Sequence, residues 1–360
     1  MFSVLIVCTA FITIATFLPY WRHPHWLIRG LDYPRLQIAC LAMVLLLTQL
    51  LFGDLQTVSA WALIALTSFC IAWQLWWVLP YTRLWPKETI STIHRAPERQ
   101  ISILTANVLT PNRQAEKLLD LVEQNQPDIL VTLESDEWWE DRLNKLEPTM
   151  PYSIKCPLDN LYGMHVFSRL PLSETEIEFL VEDSVPSMHA LVTLRSGDEV
   201  RVHFIHPAPP SPTENTESSE RDAELIVVGR SVADSEQAVI VTGDLNDVAW
   251  SVTTRLFRKL SGLLDPRIGR GMFNTFHVSF PFLRWPLDHL FHSDHFTVTD
   301  IRRLPSIGSD HFPLFTCLTL NEQKRHQQSG IDTDQEDEAW ASEKAAAENV
   351  NKHDVPQPGE

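Results

Sequence analysis

The sequence predicts an α/β domain that follows three membrane-spanning helices. Three apolar runs fill most of the first 80 residues, and strand-length apolar runs alternate with helical patterns between residues 100 and 320. The remaining residues at the end of the chain are polar, acidic and without hydrophobic periodicity. These observations divide the chain into four parts: a membrane region (1–80), a linker (81–99), an α/β domain (100–320) and a disordered acidic tail (321–360).

The three apolar runs have the length and composition of transmembrane helices. They are Met1–Tyr20, Leu36–Phe52 and Thr57–Val78, and none contains Asp, Glu, Lys or Arg. Each has about 17–22 residues, which is enough for a helix to cross a hydrocarbon core of roughly 30 Å. Trp and Tyr residues lie near their ends, as is typical of membrane–water interfaces. We therefore expect an integral membrane protein.

Basic residues around the three runs predict an orientation. Seven of them lie on one side of the membrane, after the first or the third helix: Arg22, Arg29, Arg35, Arg83, Lys87, Arg95 and Arg99. The opposite side, formed by the N-terminus and the turn at 53–56, has no Lys or Arg. Because short cytoplasmic loops are enriched in Lys and Arg, this asymmetry predicts that the domain after residue 80 is cytoplasmic. A different number of crossings would invert the prediction.

The α/β domain is acidic. Residues 100–320 carry 18 Lys and Arg against 32 Asp and Glu, a net charge of −14 within the whole-chain value of −17. A domain with this charge attracts nucleic acid poorly unless cations or a local basic patch intervene. The charge therefore counts moderately against a nucleic-acid substrate.

Hydrophobic periodicity predicts the elements of the domain in order. Ile101–Val108 and Asp128–Glu134 have the apolar runs of buried strands, and Gln114–Gln124 between them has apolar residues at helical spacing. The same criteria predict further strands over 163–168, 190–194, 201–206, 238–244, 287–292 and 313–319, and further helices over 217–233 and 250–260. This order is typical of an α/β fold, with two sheets packed together.

Polar side chains occur where the predicted strands begin or end. The residues are Asn107, Glu134, His206, Asp244, Asn246, Asp288, Asp310 and His311. Strand ends in α/β folds are where side chains converge on a ligand. Carboxylates and carboxamides are suitable ligands for a hard cation such as Mg²⁺, and an imidazole held by a carboxylate can assist a water molecule. The pattern predicts a metal-assisted hydrolytic site.

Six short motifs contain these residues and cover about 220 residues. They are Leu-Thr-Ala-Asn107-Val, Pro-Asp-Ile-Leu-Val-Thr-Leu-Glu134, Phe-Ile-His206-Pro-Ala-Pro, Val-Thr-Gly-Asp244-Leu-Asn246, Trp-Pro-Leu-Asp288-His-Leu-Phe and Gly-Ser-Asp310-His311-Phe-Pro. In this order they resemble the endonuclease/exonuclease/phosphatase (DNase I-like) superfamily, and in particular its bacterial membrane-attached members with three N-terminal helices. The resemblance implies a four-layer α/β sandwich, the bacterial inner membrane as location, and a divalent metal, Mg²⁺ with Mn²⁺ or Ca²⁺ as alternatives.

The resemblance also implies roles for the residues around the metal. Glu134 would be the principal metal ligand, with Asn107 and Asp310 near the metal. Asp244 and Asn246 would position the attacking water and a phosphate oxygen. Asn107 would also hold a phosphoryl oxygen.

The two histidines receive separate roles from the resemblance. His311 would be the general base or would stabilise the transition state, and Asp288 would orient its ring. His206 matches the second histidine of the DNase I and sphingomyelinase branches, which contacts the phosphate or protonates the leaving group. The DNase I branch pairs that histidine with an upstream carboxylate, for which Asp159 is the nearest, weak match here.

The sequence thus predicts a membrane-anchored, Mg²⁺-dependent phosphoesterase that hydrolyses a phosphodiester or phosphomonoester by in-line attack of water. Its partners would be the lipid bilayer and a phosphoester substrate, either a phospholipid or a nucleic acid, and no protein partner is inferred. A membrane-tethered nuclease acting on DNA or RNA is the alternative. An inactive membrane adaptor with the same fold is less favoured, because none of the polar motif positions is lost.

Overall fold

The computed structural model describes residues 1–93, 96–233 and 235–359. Arg95, one of the basic residues used for the orientation, lies outside them. The N-terminal region forms helices α1 (Phe2–Phe17), α2 (Trp26–Arg29), α3 (Arg35–Phe52) and α4 (Val58–Val78). By length and composition, three segments of the described chain could cross a membrane, namely Phe2–Tyr20, Arg35–Phe52 and Val58–Tyr81.

The described part of the remaining chain contains every predicted helix and strand, together with three strands and two α-helices that were not predicted. The helices are α5 (Ala115–Asn125), α6 (Glu137–Leu143), α7 (Ser219–Val232), α8 (Val252–Ser261) and α9 (Gln335–Ala347). The strands are β1 (Gln100–Asn107), β2 (Ile129–Leu133), β3 (Tyr152–Cys156), β4 (Met164–Ser168), β5 (Leu172–Glu178), β6 (Ser187–Thr193), β7 (Glu199–Phe204), β8 (Ala238–Asp244), β9 (Asp288–His292), β10 (Phe296–Arg303) and β11 (Leu314–Leu320).

Across the described residues, the strands form two mixed sheets that face each other. One sheet has the order β10-β11-β1-β2-β4-β3 and the other has the order β5-β6-β7-β8-β9. Apolar side chains from both sheets, including Ile103, Val131, Val202 and Ile240, form the core between them. Separate apolar clusters join α5 and α6 to the outer face of the first sheet and α7, α8 and α9 to that of the second. This arrangement is the predicted four-layer α/β sandwich, and the predicted fold class is confirmed.

The sheet topology brings the polar strand ends to one edge. β1 runs parallel to β2, and β7 runs parallel to β8, so their carboxyl ends point in the same direction within each pair. β9 is antiparallel to β8, with Asp288 opposite Asp244. The loop before β11 reaches the carboxyl end of β1, because Leu314 pairs with Thr105. Residues far apart in the sequence therefore meet at this edge.

The loop between α1 and α3 packs directly on the α/β domain. The Tyr33 hydroxyl donates to the carbonyl of Asn246 at 2.8 Å, and the Trp250 indole donates to the carbonyl of Asp32 at 2.9 Å. After α4, Tyr81 packs in the same apolar cluster as Trp250. The membrane-proximal segments and the domain thus share a packed interface.

The structure departs from the expected linker and tail. In the linker, Glu88 forms an ion pair with the buried Arg258, and Ser91 forms a bridge with Val298 of β10. In the tail, α9 begins with a capping box between Asp334 and Asp337, and its Trp340 packs into the cluster around α7 and α8. The expectation of a disordered tail is therefore corrected for this helix, which is ordered by its N-terminal cap and by the burial of Trp340, Ala341 and Ala345.

Candidate active site

Asn107, at the end of β1, links two carboxylates of the site. Its Nδ2 donates to Oε1 of Glu134 at 2.7 Å and to Oδ2 of Asp244 at 3.2 Å. Its Oδ1 in turn accepts from the backbone N–H of Leu109 at 3.1 Å, which fixes the orientation of the amide. Asn107 therefore holds side chains from both sheets at one position.

A histidine between two carboxylates forms the second part of the site. His311 Nδ1 lies 2.8 Å from Oδ2 of Asp288, and His311 Nε2 lies 3.5 Å from Oδ2 of Asp244. Burial alone would lower the pKa of His311, but the charges of Asp288 and Asp244 outweigh burial and raise it to about 10. The ring is therefore an imidazolium at neutral pH, with a proton available at Nε2.

Two site residues adopt left-handed backbone conformations. Glu134 has φ 57° and Asn246 has φ 50°, a region that non-glycine residues rarely occupy. The surrounding bonds hold them there: Thr110 donates to the Glu134 carbonyl at 2.8 Å, and the Asn246 N–H donates to Oδ1 of Asp244 at 2.9 Å. Such strain is common where a functional side chain must point in a fixed direction.

One carboxylate oxygen of Glu134, Oε2, is buried and has no hydrogen-bond partner among the described residues. Burial, together with the nearby charges of Asp310 and Asp244, raises the pKa of this carboxyl to about 8, although the Asn107 bond and His311 oppose the rise. A carboxylate at this position requires a positive partner to remain ionised at neutral pH.

His206 lies at the same site without the carboxylate partner that the resemblance suggests. Its Nδ1 is buried and unpartnered among the described residues, and its ring packs 5.5 Å from that of Tyr162. Burial lowers the pKa of His206 to about 4, with Asp244 opposing the change. Asp159 is exposed and forms no hydrogen bond with His206.

All eight predicted site residues therefore lie at or next to one edge of the sandwich. Asp244, Asp288 and His311 also form a group in which one potential ligand atom from each lies within 4.8 Å of the others, so they could hold a metal ion. Within this group, His311 and Asp288 are already joined by a hydrogen bond.

Sequence reasoning missed three residues that position the site. Arg221 of α7 donates to the Asn246 carbonyl at 3.0 Å, beside the bond from Tyr33. The Phe276 ring packs 4.9 Å from the His311 ring. No local pattern marks these residues, since each acts through a contact with a distant part of the chain.

The endonuclease/exonuclease/phosphatase family model matches residues 104–311, which contain all eight site residues and more than half of the chain. The chain belongs to this family. Members of the endonuclease/exonuclease/phosphatase family are metal-dependent hydrolases of phosphate esters, and the chain is an enzyme of that class. The family enzymes use divalent metals, and the Asp244, Asp288 and His311 group is compatible with such a metal.

Solved structures of family proteins share the fold at low identity. TDP2 from D. rerio, in complex with a single-strand DNA product, is 19% identical with a TM-score of 0.52, covering 61% of this chain and 99% of that chain. The human Nocturnin catalytic domain with bound sulfate is 17% identical with a TM-score of 0.51, covering 62% and 94%. A family protein from Beutenbergia cavernae is 16% identical with a TM-score of 0.51, covering 62% and 72%. A search of curated proteins found no match.

Proposed function

We propose that the chain is a membrane-anchored, Mg²⁺-dependent phosphoesterase that hydrolyses a small or membrane-presented phosphoester. The observation that carries the proposal is the unpartnered carboxylate oxygen of Glu134. It lies beside the imidazolium of His311, in a domain that packs against the segment before the second of three apolar helices and against the end of the third. The resemblance supplies the reaction class, and the contacts below support the roles of individual residues.

The residues of the site fit a divalent cation. The carboxyl of Glu134 has a raised pKa, and its unpartnered Oε2 is the atom that a cation would bind. Asn107 and Asp310 add oxygen atoms nearby, and oxygen ligands suit Mg²⁺, with Mn²⁺ or Ca²⁺ as alternatives. When bound, the metal would neutralise phosphate charge and stabilise the leaving oxygen.

His311, held by Asp288, would stabilise the negative charge that develops on the phosphoryl group. Because the carboxylates keep His311 protonated, its Nε2 proton would stabilise negative charge on a phosphoryl oxygen rather than remove a proton from water in the free enzyme. Asp288 holds the ring through Nδ1 at 2.8 Å. The neighbouring Asp244 is then the better candidate to orient the attacking water.

Three neutral side chains would hold the phosphoryl oxygens. Asn246 is fixed by donating through Nδ2 to the Pro207 carbonyl at 2.9 Å, and this bond uses one of its two N–H groups. Asn107 donates both of its N–H groups, to Glu134 and Asp244, and would release one of them to hold a phosphoryl oxygen. His206 is neutral at pH 7 because burial lowers its pKa. Contact with the phosphate therefore suits His206 better than protonation of the leaving group.

The membrane anchor supports the preference for a lipid or small phosphoester. The basic residues after α1 and α4 favour a cytoplasmic position for the domain in the bacterial inner membrane. Tethering raises the local concentration of a membrane-presented substrate, whereas the acidic domain gives no general attraction for long polyanions. A membrane-tethered nuclease is the second candidate, and the likeness to TDP2 bound to a DNA product favours it.

The test compares two substrates with the full-length chain. The purified protein is reconstituted with Mg²⁺ at low salt, and specific activity is measured at equal phosphate concentration on mixed phospholipid vesicles and on supercoiled plasmid. We expect phosphoester release from vesicles that EDTA abolishes. Rapid plasmid nicking with no release from vesicles would establish the nuclease instead, and activity that EDTA leaves unchanged would overturn the metal-dependent mechanism.

A further inference from the structure

A hairpin beside the active site carries exposed apolar side chains at its tip. We call residues 276–285 the apolar hairpin. Phe280, Phe282 and Leu283 are 55%, 88% and 46% exposed. Three large apolar side chains within four residues of a surface hairpin usually mark an interaction surface.

The base of the hairpin is part of the active-site wall. Phe276 exchanges backbone hydrogen bonds with Trp285 and packs its ring 4.9 Å from that of His311. The N–H of Val278 donates to the carbonyl of Asp310 at 2.8 Å. The position of the hairpin is therefore coupled directly to two residues of the site.

The tip of the hairpin touches a candidate membrane helix. The side chain of Gln37 donates through Nε2 to the carbonyl of Phe282 at 2.8 Å. Because α3 begins at Arg35, Gln37 lies in its first turn, about 3 Å along the helix axis at 1.5 Å per residue. Trp285 also packs edge-on against Tyr33, at 5.6 Å between ring centroids. The tip is thus level with the point where α3 enters its apolar run.

The charge around the hairpin differs from that of the rest of the domain. No Asp or Glu occurs between Asp265 and Asp288, although the domain as a whole has a net charge of −14. Two guanidinium groups, those of Arg284 and Arg303, lie over the ring of Phe312 at 5.0 Å and 4.2 Å. Arg284 also stiffens the hairpin by donating to the backbone carbonyls of His277 and Val278. An apolar tip with cationic groups behind it matches the interfacial layer of a bilayer, where acyl chains meet phosphate.

We propose that the apolar hairpin inserts its tip into the bilayer interface and holds the active site against phosphoester head groups in the membrane. This inference rests on the proposed membrane anchoring and deepens the proposed phosphoesterase function. Continuity with α3 favours the bilayer over a second copy of the chain, because the same side of α3 leads from Gln37 to exposed Leu41 and Val44.

The location of the tip is tested by photo-crosslinking. The full-length chain carrying p-benzoylphenylalanine at position 282 is reconstituted in phosphatidylcholine–phosphatidylglycerol vesicles and irradiated. Tyr152 provides the matched control position: it is exposed, and its pairing with Ser168 places it at the end of the strands opposite Glu134. We expect lipid adducts at 282 and none at 152. Adducts to a second copy, or no lipid adduct at 282, would overturn the inference.

The catalytic consequence is tested separately. Phe282→Ser should reduce hydrolysis of vesicle phospholipid at least fivefold and leave hydrolysis of soluble bis(p-nitrophenyl) phosphate within twofold of wild type, while Tyr152→Ser should change neither. Equal loss on both substrates would contradict a role in membrane presentation. If the wild type hydrolyses neither substrate but crosslinks to lipid at 282, the proposed function fails and the insertion of the hairpin stands.

Discussion

The hydroxyl of Tyr33, in the loop between the first two candidate membrane helices, donates a 2.8 Å hydrogen bond to the carbonyl of Asn246 in the active site. Arg221 donates to the same carbonyl at 3.0 Å. Since Asn246 has a left-handed backbone, these two donors help to hold a strained residue in place. The N-terminal helical region therefore contributes to the geometry of the candidate site, in addition to its proposed role in anchoring.

The first prediction concerns this bond. Tyr33→Phe keeps the ring against Trp285 but removes the donor, and a hydrogen bond of this kind contributes about 1 kcal/mol. We expect kcat to fall about fivefold with KM nearly unchanged, measured on the full-length enzyme. Tyr152→Phe, which removes an exposed hydroxyl, is the control. An unchanged kcat in Tyr33→Phe would show that Asn246 keeps its position without this bond.

The second prediction concerns Glu134 and metal. Burial raises the pKa of Glu134 from its ordinary value to about 8, so the unfolded chain loses this proton at lower pH than the folded chain does. The metal-free protein should therefore lose stability as pH rises from about 4.5 to about 8. Glu134→Gln removes that penalty, and each kcal/mol corresponds to about 2–4 °C in Tm for a domain of this size.

The measurement is the Tm of the full-length protein in detergent at pH 8, with EDTA or with Mg²⁺. In EDTA, Glu134→Gln should melt at a higher temperature than wild type. With Mg²⁺, the wild type should gain stability and the variant should not, and the variant should lose most activity. A variant that Mg²⁺ stabilises as much as wild type would remove Glu134 from the metal site.

The third prediction concerns His311. His311→Ala should reduce kcat by about 10²–10⁴-fold, and Asp288→Asn should reduce it less, because Asp288 acts by holding the ring. Although burial opposes it, the carboxylates raise the pKa of His311 to about 10, so the charged ring stabilises the fold fully below about pH 6.5. This contribution is lost progressively as pH rises to about 10.

Thermal unfolding in EDTA shows whether the contribution of His311 to stability falls or rises with pH. The Tm difference between wild type and His311→Gln should be largest near pH 6 and should shrink towards pH 10. A difference that grows with pH would mean that His311 is neutral in the folded protein, and a near-normal rate in His311→Ala would exclude it from catalysis.

The sequence located the site better than it located the elements around it. Asn107, Glu134 and Asp244 lie at the ends of buried strands and Asp288 at the start of one, and apolar strand runs are easy to recognise. Strand β5 was missed because its exposed Ser-Glu-Thr-Glu segment lacks an apolar face. The edge strands β3 and β10 each pair with one strand, the next along the chain, and are only partly buried. Helix α9 gains its order from contacts with α7 and α8, and the bond between Tyr33 and Asn246 joins residues 213 positions apart. Local pattern carries no record of such contacts.

The fourth prediction concerns His206. Since burial lowers the pKa of His206 to about 4, we expect its neutral ring to contact the substrate without titrating near neutrality. His206→Ala should lower kcat/KM strongly, and His206→Asn should recover part of the loss through its amide. Neither variant should shift an acid limb of the pH–rate profile between pH 5 and 8. If the wild-type pH–rate profile has an acid limb between pH 5 and 8 that the His206 variants lack, His206 is a proton donor.

The last prediction concerns orientation. Arg22, Arg29 and Arg35 follow α1 and further basic residues follow α4, while the turn at 53–56 has none, so the positive-inside bias predicts a cytoplasmic catalytic domain. A reporter fused after Arg99 should therefore behave as cytoplasmic, and one inserted in the turn at 53–56 should behave as external. A chain in which Arg22 and Arg83 are both replaced by Gln should keep this topology, because most of the bias remains. The reverse reporter pattern would place the apolar hairpin and the active site on the outer leaflet side, and the substrate search would then move to phosphoesters presented there.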